Sequence, residues 1–175
     1  MGLTAAHWEL LDYVIGYLLK TCTRGIHLRP GTPSLNLWSN AGWGGDLKHS
    51  QTGFMIKLGD APILWGSKRQ IVVGLSTCSA KYITLSNSTQ HLVQAINQLD
   101  QLTSDFEKTI SCDNQAAVQV SVDNKSCKHM HYLDHTFFFV NDTIWQHGIK
   151  VIWVKMTDMQ ANALTKRLSS RLFLS

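Results

Sequence analysis

Two aspartates stand where an α/β protein would carry metal chemistry. Asp113 follows a short strand-like run, residues 109–112, and precedes a helix-like run, residues 116–122. Asp158 follows a second strand-like run, residues 149–154. Ligands of α/β sheets bind outside the carboxyl ends of the strands, so two carboxylates there could hold a hard cation such as Mg²⁺. The alternative is structural, because an Asp at a helix N-terminus also offsets the helix dipole.

The elements that position these aspartates can be predicted from hydrophobic periodicity and chain breakers. Apolar residues recur at helical spacing in two long segments, the second of which contains neither Gly nor Pro. Shorter β-type runs between glycines predict an antiparallel meander ahead of that segment. The expected strands are residues 35–39, 53–58, 63–66, 109–112 and 149–154, and the expected helices are residues 4–21, 76–102, 116–122 and 132–145. This order describes an α/β fold with a mixed sheet.

A further helix is predicted near the C-terminus. Thr157 and Gln160 have the T-x-x-Q spacing of a capping box, in which each side chain satisfies a backbone N–H of the first turn. The helix would continue through Ala161, Leu164 and Leu168.

Composition indicates one intracellular globular domain. The chain has 175 residues, of which 44% are hydrophobic and 16% charged, so a disordered chain is excluded. A net charge of +4 is compatible with a polyanionic partner but does not by itself indicate one. Four widely spaced cysteines argue against a disulfide framework, and neither a secretory leader nor a membrane span is recognisable. We therefore expect a cytoplasmic or nuclear protein that does not enter a membrane.

Six ordered blocks resemble the RNase H domain of copia-type LTR retrotransposon polyproteins. The family patterns include Y-S-D-A-D-W-A-G-D with K-S-T-S-G, I-S-W-x-S-K and L-S-S-T-E-A-E-Y-I-A-L. The matching blocks here are W-S-N-A-G-W-G-G-D with S-Q-T-G (38–53), I-L-W-G-S-K (63–68), L-S-T-C-S-A-K-Y-I-T-L (75–85), C-D-N-Q-A-A (112–117), K-H-M-H-Y-L-D-H (128–135) and D-M-Q-A-N-A-L-T-K (158–166). The helix within residues 1–30 resembles the end of the preceding reverse transcriptase domain, so residues 31–175 would form the RNase H-like domain.

The resemblance implies an RNase H-like fold, a mixed five-stranded sheet with flanking helices, and a four-carboxylate site. In the family that site binds two Mg²⁺ ions and cleaves the RNA strand of an RNA·DNA hybrid. Carried over position by position, the four acids fall on Asn40, Lys81, Asp113 and Asn162. Only Asp113 is still an acid, and the charge of the site changes from −4 to 0. We expect weak or absent Mg²⁺ binding, impaired catalysis, and a Lys81 ammonium paired with Asp113.

Two other functional interpretations stay open. The domain could be an active nuclease in which Asp46 or Asp158 joins Asp113 at the metal, or a non-catalytic module that binds nucleic acid or protein. Nucleic-acid contacts are expected, from the same resemblance and from the basic side chains, at Lys68, Asn114, Gln115, Lys128, His129 and His135.

Two more patterns have a functional and a structural interpretation. The spacing C-x-H-x-H-x(3)-H could bind zinc, although surface histidines are the simpler interpretation; it comprises Cys127, His129, His131 and His135. Four tryptophans near strands are expected to pack the sheet, with base stacking as the alternative; they are Trp38, Trp43, Trp65 and Trp153.

Overall fold

The structure is a computed structural model and describes residues 4–26, 28, 31–43, 49–102, 106–122 and 134–166. Within these ranges the chain forms helices α1 (Ala5–Thr21), α2 (Thr77–Leu99), α3 (Gln115–Val122) and α4 (Asp134–His147), strands β1 (Ser34–Gly42), β2 (Gln51–Leu58), β3 (Ala61–Arg69), β4 (Glu107–Cys112) and β5 (Lys150–Trp153), and 3₁₀ turns at Met156–Asp158 and Gln160–Leu164. The five predicted strands and the first four predicted helices are therefore present, most with ends shifted by one to three residues.

The five strands form one mixed sheet in the order β3-β2-β1-β4-β5. Strands β1, β2 and β3 are antiparallel neighbours, whereas β4 is parallel to both β1 and β5. The carboxyl ends of β1, β3, β4 and β5 consequently meet at one edge of the sheet, which we call the carboxyl edge. The last β1–β4 pair is Ser39 with Cys112, so Asn40 and Asp113 follow it side by side. The predicted α/β fold with a mixed sheet is confirmed.

Helix α2 covers one face of the sheet and supplies much of the core. Ser76 caps its N-terminus by accepting a hydrogen bond from the Ser79 backbone N–H at 3.1 Å, and the Ser79 side chain bonds back to Ser76. Alternating apolar positions of the strands pack against this helix, because successive side chains of a strand point to opposite faces. The fully buried side chains include Leu35, Leu37, Ile56, Leu85, Leu92, Ile96 and Ile110.

Helix α1 differs from α2 in its packing. None of its residues is buried, and Trp8, Tyr13 and Leu19 are all more than half exposed. The assignment of residues 1–30 to a separate unit stays a prediction. In the described part of the chain, no helix combines the length and the apolar character that crossing a bilayer requires.

The prediction of an α-helix after β5 is wrong for the described residues. Met159 has an extended backbone (φ −72°, ψ 101°) that separates two short 3₁₀ turns. The capping box does not form as predicted: Thr157 donates its hydroxyl hydrogen to Asp158 instead. The Asn162 side-chain amide donates to the Met156 carbonyl at 2.6 Å and so links the two 3₁₀ turns. Leu168 lies outside the described residues.

Candidate functional site

An ion pair occupies one half of the cluster that the sequence predicted. The Lys81 Nζ donates to Asp113 Oδ1 at 2.5 Å, and the two side chains are 13% and 3% exposed. Lys81 lies near the start of α2, and Asp113 directly follows β4. The Ser76 cap defines the beginning of α2, which puts Lys81 at the start of its second turn, from where the ammonium reaches the carboxylate. The salt bridge expected from the sequence is present.

An amide pair occupies the other half. Asn40, 4% exposed at the end of β1, donates from Nδ2 to Asn162 Oδ1 at 2.8 Å. The Asn40 Oδ1 accepts the backbone N–H of Ala41 at 2.8 Å. Asn162 lies in the second 3₁₀ turn, which we call the C-terminal segment together with Thr165 and Lys166. Asparagine side chains are uncharged, so the amide pair itself contributes no charge to the site.

Two glycines allow the C-terminal segment to lie directly on the sheet. A Cβ at Gly42 would be 2.7 Å from the Thr165 carbonyl oxygen. A Cβ at Gly53 would be 2.5 Å from Thr165 Cγ2 and 2.9 Å from Leu164 Cβ. Both separations are too short for real atoms, so any side chain at either position would displace the segment. Sequence reasoning missed this contact, although Gly42 in place of the family's Asp was visible.

The neighbours of the ion pair along β4 and α2 are uncharged. Cys112 is 1% exposed, and burial raises the pKa of its thiol to about 11. Tyr82 follows Lys81 along α2, and burial raises the pKa of its phenol as well. The Ser88 hydroxyl donates to Ser39 Oγ at 3.1 Å between α2 and β1. Cys112 and Tyr82, the sequence neighbours of the ion pair, therefore stay neutral near pH 7.

These donors do not suit a divalent cation. Mg²⁺ prefers several oxygen ligands in near-octahedral geometry, usually with one or two free carboxylates. The carboxylate of Asp113 is already bonded to an ammonium, and among the residues that the structure describes no three His, Cys, Asp or Glu side chains are grouped to hold a metal. Asp158 is exposed and accepts a hydrogen bond from Thr157. Asp46 lies outside the described residues.

The other predicted contact residues are dispersed. Asn114 caps α3, since its Oδ1 accepts the Ala117 backbone N–H at 2.9 Å. Gln115 is exposed in the first turn of α3, and Lys68 is exposed near the carboxyl end of β3. The remaining predicted side chains, including those of the zinc pattern, lie outside the described residues: Cys127, Lys128, His129, His131 and the side chain of His135.

Relatives of the chain identify its origin. It is 32% identical over 171 residues to the retrovirus-related Pol polyprotein from transposon RE2 of Arabidopsis thaliana. The same species has a second relative, the polyprotein from transposon RE1, with 30% identity over 175 residues. These alignments cover 95% and 97% of this chain. The chain is homologous to retrotransposon Pol polyproteins. It spans about 12% of the length of each relative, and it matches no protein-family model.

Solved structures confirm the RNase H-like fold of this retrotransposon-derived domain. LC11-RNase H1, isolated from compost by a metagenomic approach, superposes with a TM-score of 0.61 at 14% identity, over 77% of this chain and 94% of that one. The same enzyme in complex with an RNA/DNA hybrid superposes with a TM-score of 0.53 at 13% identity, over 75% and 94% of the two chains. At such low identity the likeness establishes the fold alone. The predicted family resemblance is confirmed by the polyprotein relatives.

Proposed function

We propose that this RNase H-like domain has lost metal-dependent cleavage of RNA·DNA hybrids and that the Lys81 ammonium replaces a divalent cation. The observation that carries the proposal is the hydrogen bond between Lys81 and Asp113, two positions that correspond to metal-ligating acids of the family. A glutamate at position 81 would share a cation with Asp113. A lysine there brings its own positive charge and neutralises the remaining acid.

The chemistry of hybrid cleavage explains why the substitutions remove activity. In a two-metal site one ion activates the attacking water, and both ions stabilise the charge on the scissile phosphate. The four carried-over positions here sum to a charge of 0, with one acid, one base and two amides. An ammonium cannot lower the pKa of a bound water as a divalent ion does, so the attacking hydroxide is not generated. We therefore propose that Mg²⁺ is neither bound at millimolar concentration nor used.

The same charge change favours metal-free binding of nucleic acid. Four acids repel a phosphate backbone until metal ions neutralise them, whereas a neutral cluster does not. Lys68 and Arg69 are exposed at the carboxyl edge, where they can attract phosphates. LC11-RNase H1 has been solved with an RNA/DNA hybrid, and this domain shares its fold. We propose that the domain keeps nucleic-acid binding after the loss of cleavage.

A fluorescent RNA·DNA hybrid assay with Mg²⁺ or Mn²⁺ tests the proposal. The wild-type chain is expected to show no turnover above that of its Asp113→Asn variant. Asp158→Asn serves as a second comparison, because Asp158 is the described acid that could rescue a rearranged site. Turnover that either substitution abolishes would show that the domain is an active nuclease. Hybrid binding is then measured in EDTA, where affinity equal to that in Mg²⁺ is expected.

A further inference from the structure

Two tryptophans flank the Lys81–Asp113 pair at the carboxyl edge. Trp43 follows β1 and is 52% exposed, and Trp153 ends β5 and is 45% exposed. Strand β4, which ends at Asp113, lies between β1 and β5. The strand register places Trp153 level with Ser39, four residues before Trp43, so the two backbones are separated by two strand spacings across the sheet and by four residues along it, roughly 16 Å in all.

Each indole is fixed by its N–H group. Trp43 donates from Nε1 to the Gly74 carbonyl at 3.3 Å, and Trp153 donates from Nε1 to the Asp113 carbonyl at 3.2 Å. These bonds satisfy the polar edge of each ring and leave a large part of its apolar surface in solvent. A ring held in this way loses little conformational entropy when a planar ligand stacks on it.

Each tryptophan is bonded to backbone close to the Lys81–Asp113 pair. Trp153 is bonded to the backbone of Asp113, whose side chain binds the Lys81 ammonium. On the other side, Trp43 is bonded to Gly74, and a Cβ at Gly74 would lie only 2.9 Å from the backbone nitrogen of Ala80, the neighbour of Lys81. The two rings are therefore held by backbone segments that border the ion pair, while the Lys81 side chain itself is only 13% exposed.

Positive charge continues along the carboxyl edge beyond the tryptophans. Lys68 and Arg69 are exposed at the end of β3, and Lys155 is exposed just after β5. The order along the edge is basic, aromatic, ion pair, aromatic and basic. A basic groove with interleaved aromatic rings is the arrangement by which proteins bind single-stranded nucleic acid, where phosphates meet the charges and bases stack on the rings.

We infer that Trp43 and Trp153 are stacking platforms for two unpaired bases of a single-stranded nucleic acid that lies along the carboxyl edge. This inference rests on the proposed metal-free binding of nucleic acid and specifies its ligand. A duplex keeps its base faces stacked inside the helix, so it offers nothing to an exposed indole. An unpaired strand offers a face at every base, and stacking does not depend on sequence.

Fluorescence anisotropy with a labelled oligothymidylate of about 15 nucleotides, in EDTA, tests the inference. Oligothymidylate has little structure of its own, so its bases are free to stack. Trp43→Ala and Trp153→Ala should each weaken binding about 5- to 150-fold, the range that base–aromatic stacking implies. The matched control is Trp145→Ala, which removes a ring that is 78% exposed near the end of α4, the helix that leads into the amino end of β5, opposite to the carboxyl edge. Its affinity should equal that of the wild type.

Two further readouts separate stacking from a structural role. Trp43→Phe and Trp153→Phe should retain most of the affinity, because phenylalanine also stacks, and each should reduce the quenching of tryptophan fluorescence by the oligonucleotide. The dependence of affinity on salt should be unchanged in the tryptophan variants. In Lys68→Ala and Arg69→Ala, the slope of log binding constant against log salt concentration should become shallower by about 0.7 for each lost phosphate contact.

The outcomes distinguish the inference from the function on which it rests. Oligothymidylate binding that is unaffected by both tryptophan substitutions, or equally reduced by Trp145→Ala, overturns the inference alone. Binding of the RNA·DNA hybrid without binding of oligothymidylate also overturns it and leaves the proposed function intact. If the wild-type chain binds neither nucleic acid in EDTA, the proposed metal-free binding is wrong, and the inference is wrong with it.

Discussion

The two halves of the candidate site are held together in different ways. The Lys81–Asp113 pair joins α2 to β4, two elements that belong to the buried core, and its members carry full charges. The Asn40–Asn162 pair joins β1 to the C-terminal segment, and its members are neutral amides. The first half depends on charge compensation. The second depends on Gly42 and Gly53, whose lack of a side chain lets the C-terminal segment pack on the sheet.

This difference indicates what the fold would need after the loss of the metal site that we propose. A buried carboxylate without a partner is costly, so the retained Asp113 needs a positive charge. A buried amide needs only hydrogen-bond partners, which Ala41 and the Met156 carbonyl provide. The two pairs should therefore respond to substitution with very different energies.

The largest effect is expected from breaking the ion pair. Lys81→Met keeps the length of the side chain but leaves Asp113 charged and 3% exposed, so the free energy of unfolding should fall by about 3–5 kcal/mol. Urea denaturation measures the loss. Adding Asp113→Asn to Lys81→Met removes the uncompensated charge and should restore much of the stability. A Lys81→Met variant within about 1 kcal/mol of wild type would contradict buried charge compensation.

A smaller effect is expected from placing a side chain between the sheet and the C-terminal segment. Gly53→Ala puts a Cβ against Leu164 and Thr165, so the free energy of unfolding should fall by about 1–3 kcal/mol. Gly16→Ala is the matched control: nothing lies within 4 Å of its added Cβ, and the residue is inside a helix where Ala is preferred. Equal urea midpoints for Gly53→Ala and wild type would show that the segment is not held against the sheet.

Removing the amide of Asn40 should lower the free energy of unfolding by less than the Gly53→Ala substitution does. Asn40→Ala leaves Asn162 Oδ1 and the Ala41 N–H without their partner, for an expected loss of about 1–2 kcal/mol. A double-mutant cycle with Asn162→Ala should give a coupling energy of about 1 kcal/mol, as for one buried hydrogen bond. Strict additivity of the two substitutions would refute a direct amide–amide bond.

The smallest change in the free energy of unfolding is expected at an exposed ion pair that, like Lys81–Asp113, joins an ammonium to a carboxylate. Lys150 and Glu107 are 2.7 Å apart, but their side chains are 70% and 55% exposed. Water and salt screen such a pair, so Lys150→Ala should change the free energy of unfolding by less than about 1 kcal/mol. That change should disappear in 1 M NaCl, whereas the effect of Lys81→Met should largely persist. A larger loss of unfolding free energy for Lys150→Ala than for Lys81→Met would contradict the view that burial makes the Lys81–Asp113 pair the stronger one.

The core and the ion pair could be predicted because they depend on local pattern and position. Helix α2 follows from an uninterrupted apolar period, and the match of C-D-N-Q-A-A placed Asp113 at the end of β4. The C-terminal segment could not be predicted, because its shape comes from contacts of Asn162 and Thr165 with distant Gly42 and Gly53. Local capping signals at Thr157 favoured an α-helix, and tertiary packing overrode them.

The tryptophans illustrate the same limit. Their proximity to strands was visible in the sequence and suggested packing within the sheet. Their orientation depends on carbonyl groups of Gly74 and Asp113, which lie 31 and 40 residues away along the chain. A pattern of residue types does not contain such distant backbone contacts.

Calorimetric titration with Mg²⁺ tests most directly whether an ammonium has replaced the metal. The wild-type chain should show no binding at millimolar Mg²⁺. The triple variant Asn40→Asp, Lys81→Glu, Asn162→Asp restores a charge of −4 at the four positions and should bind Mg²⁺, whereas each single reversion should change little because the ligands act together. Tight Mg²⁺ binding by the wild-type chain, lost in Asp113→Asn, would contradict the account.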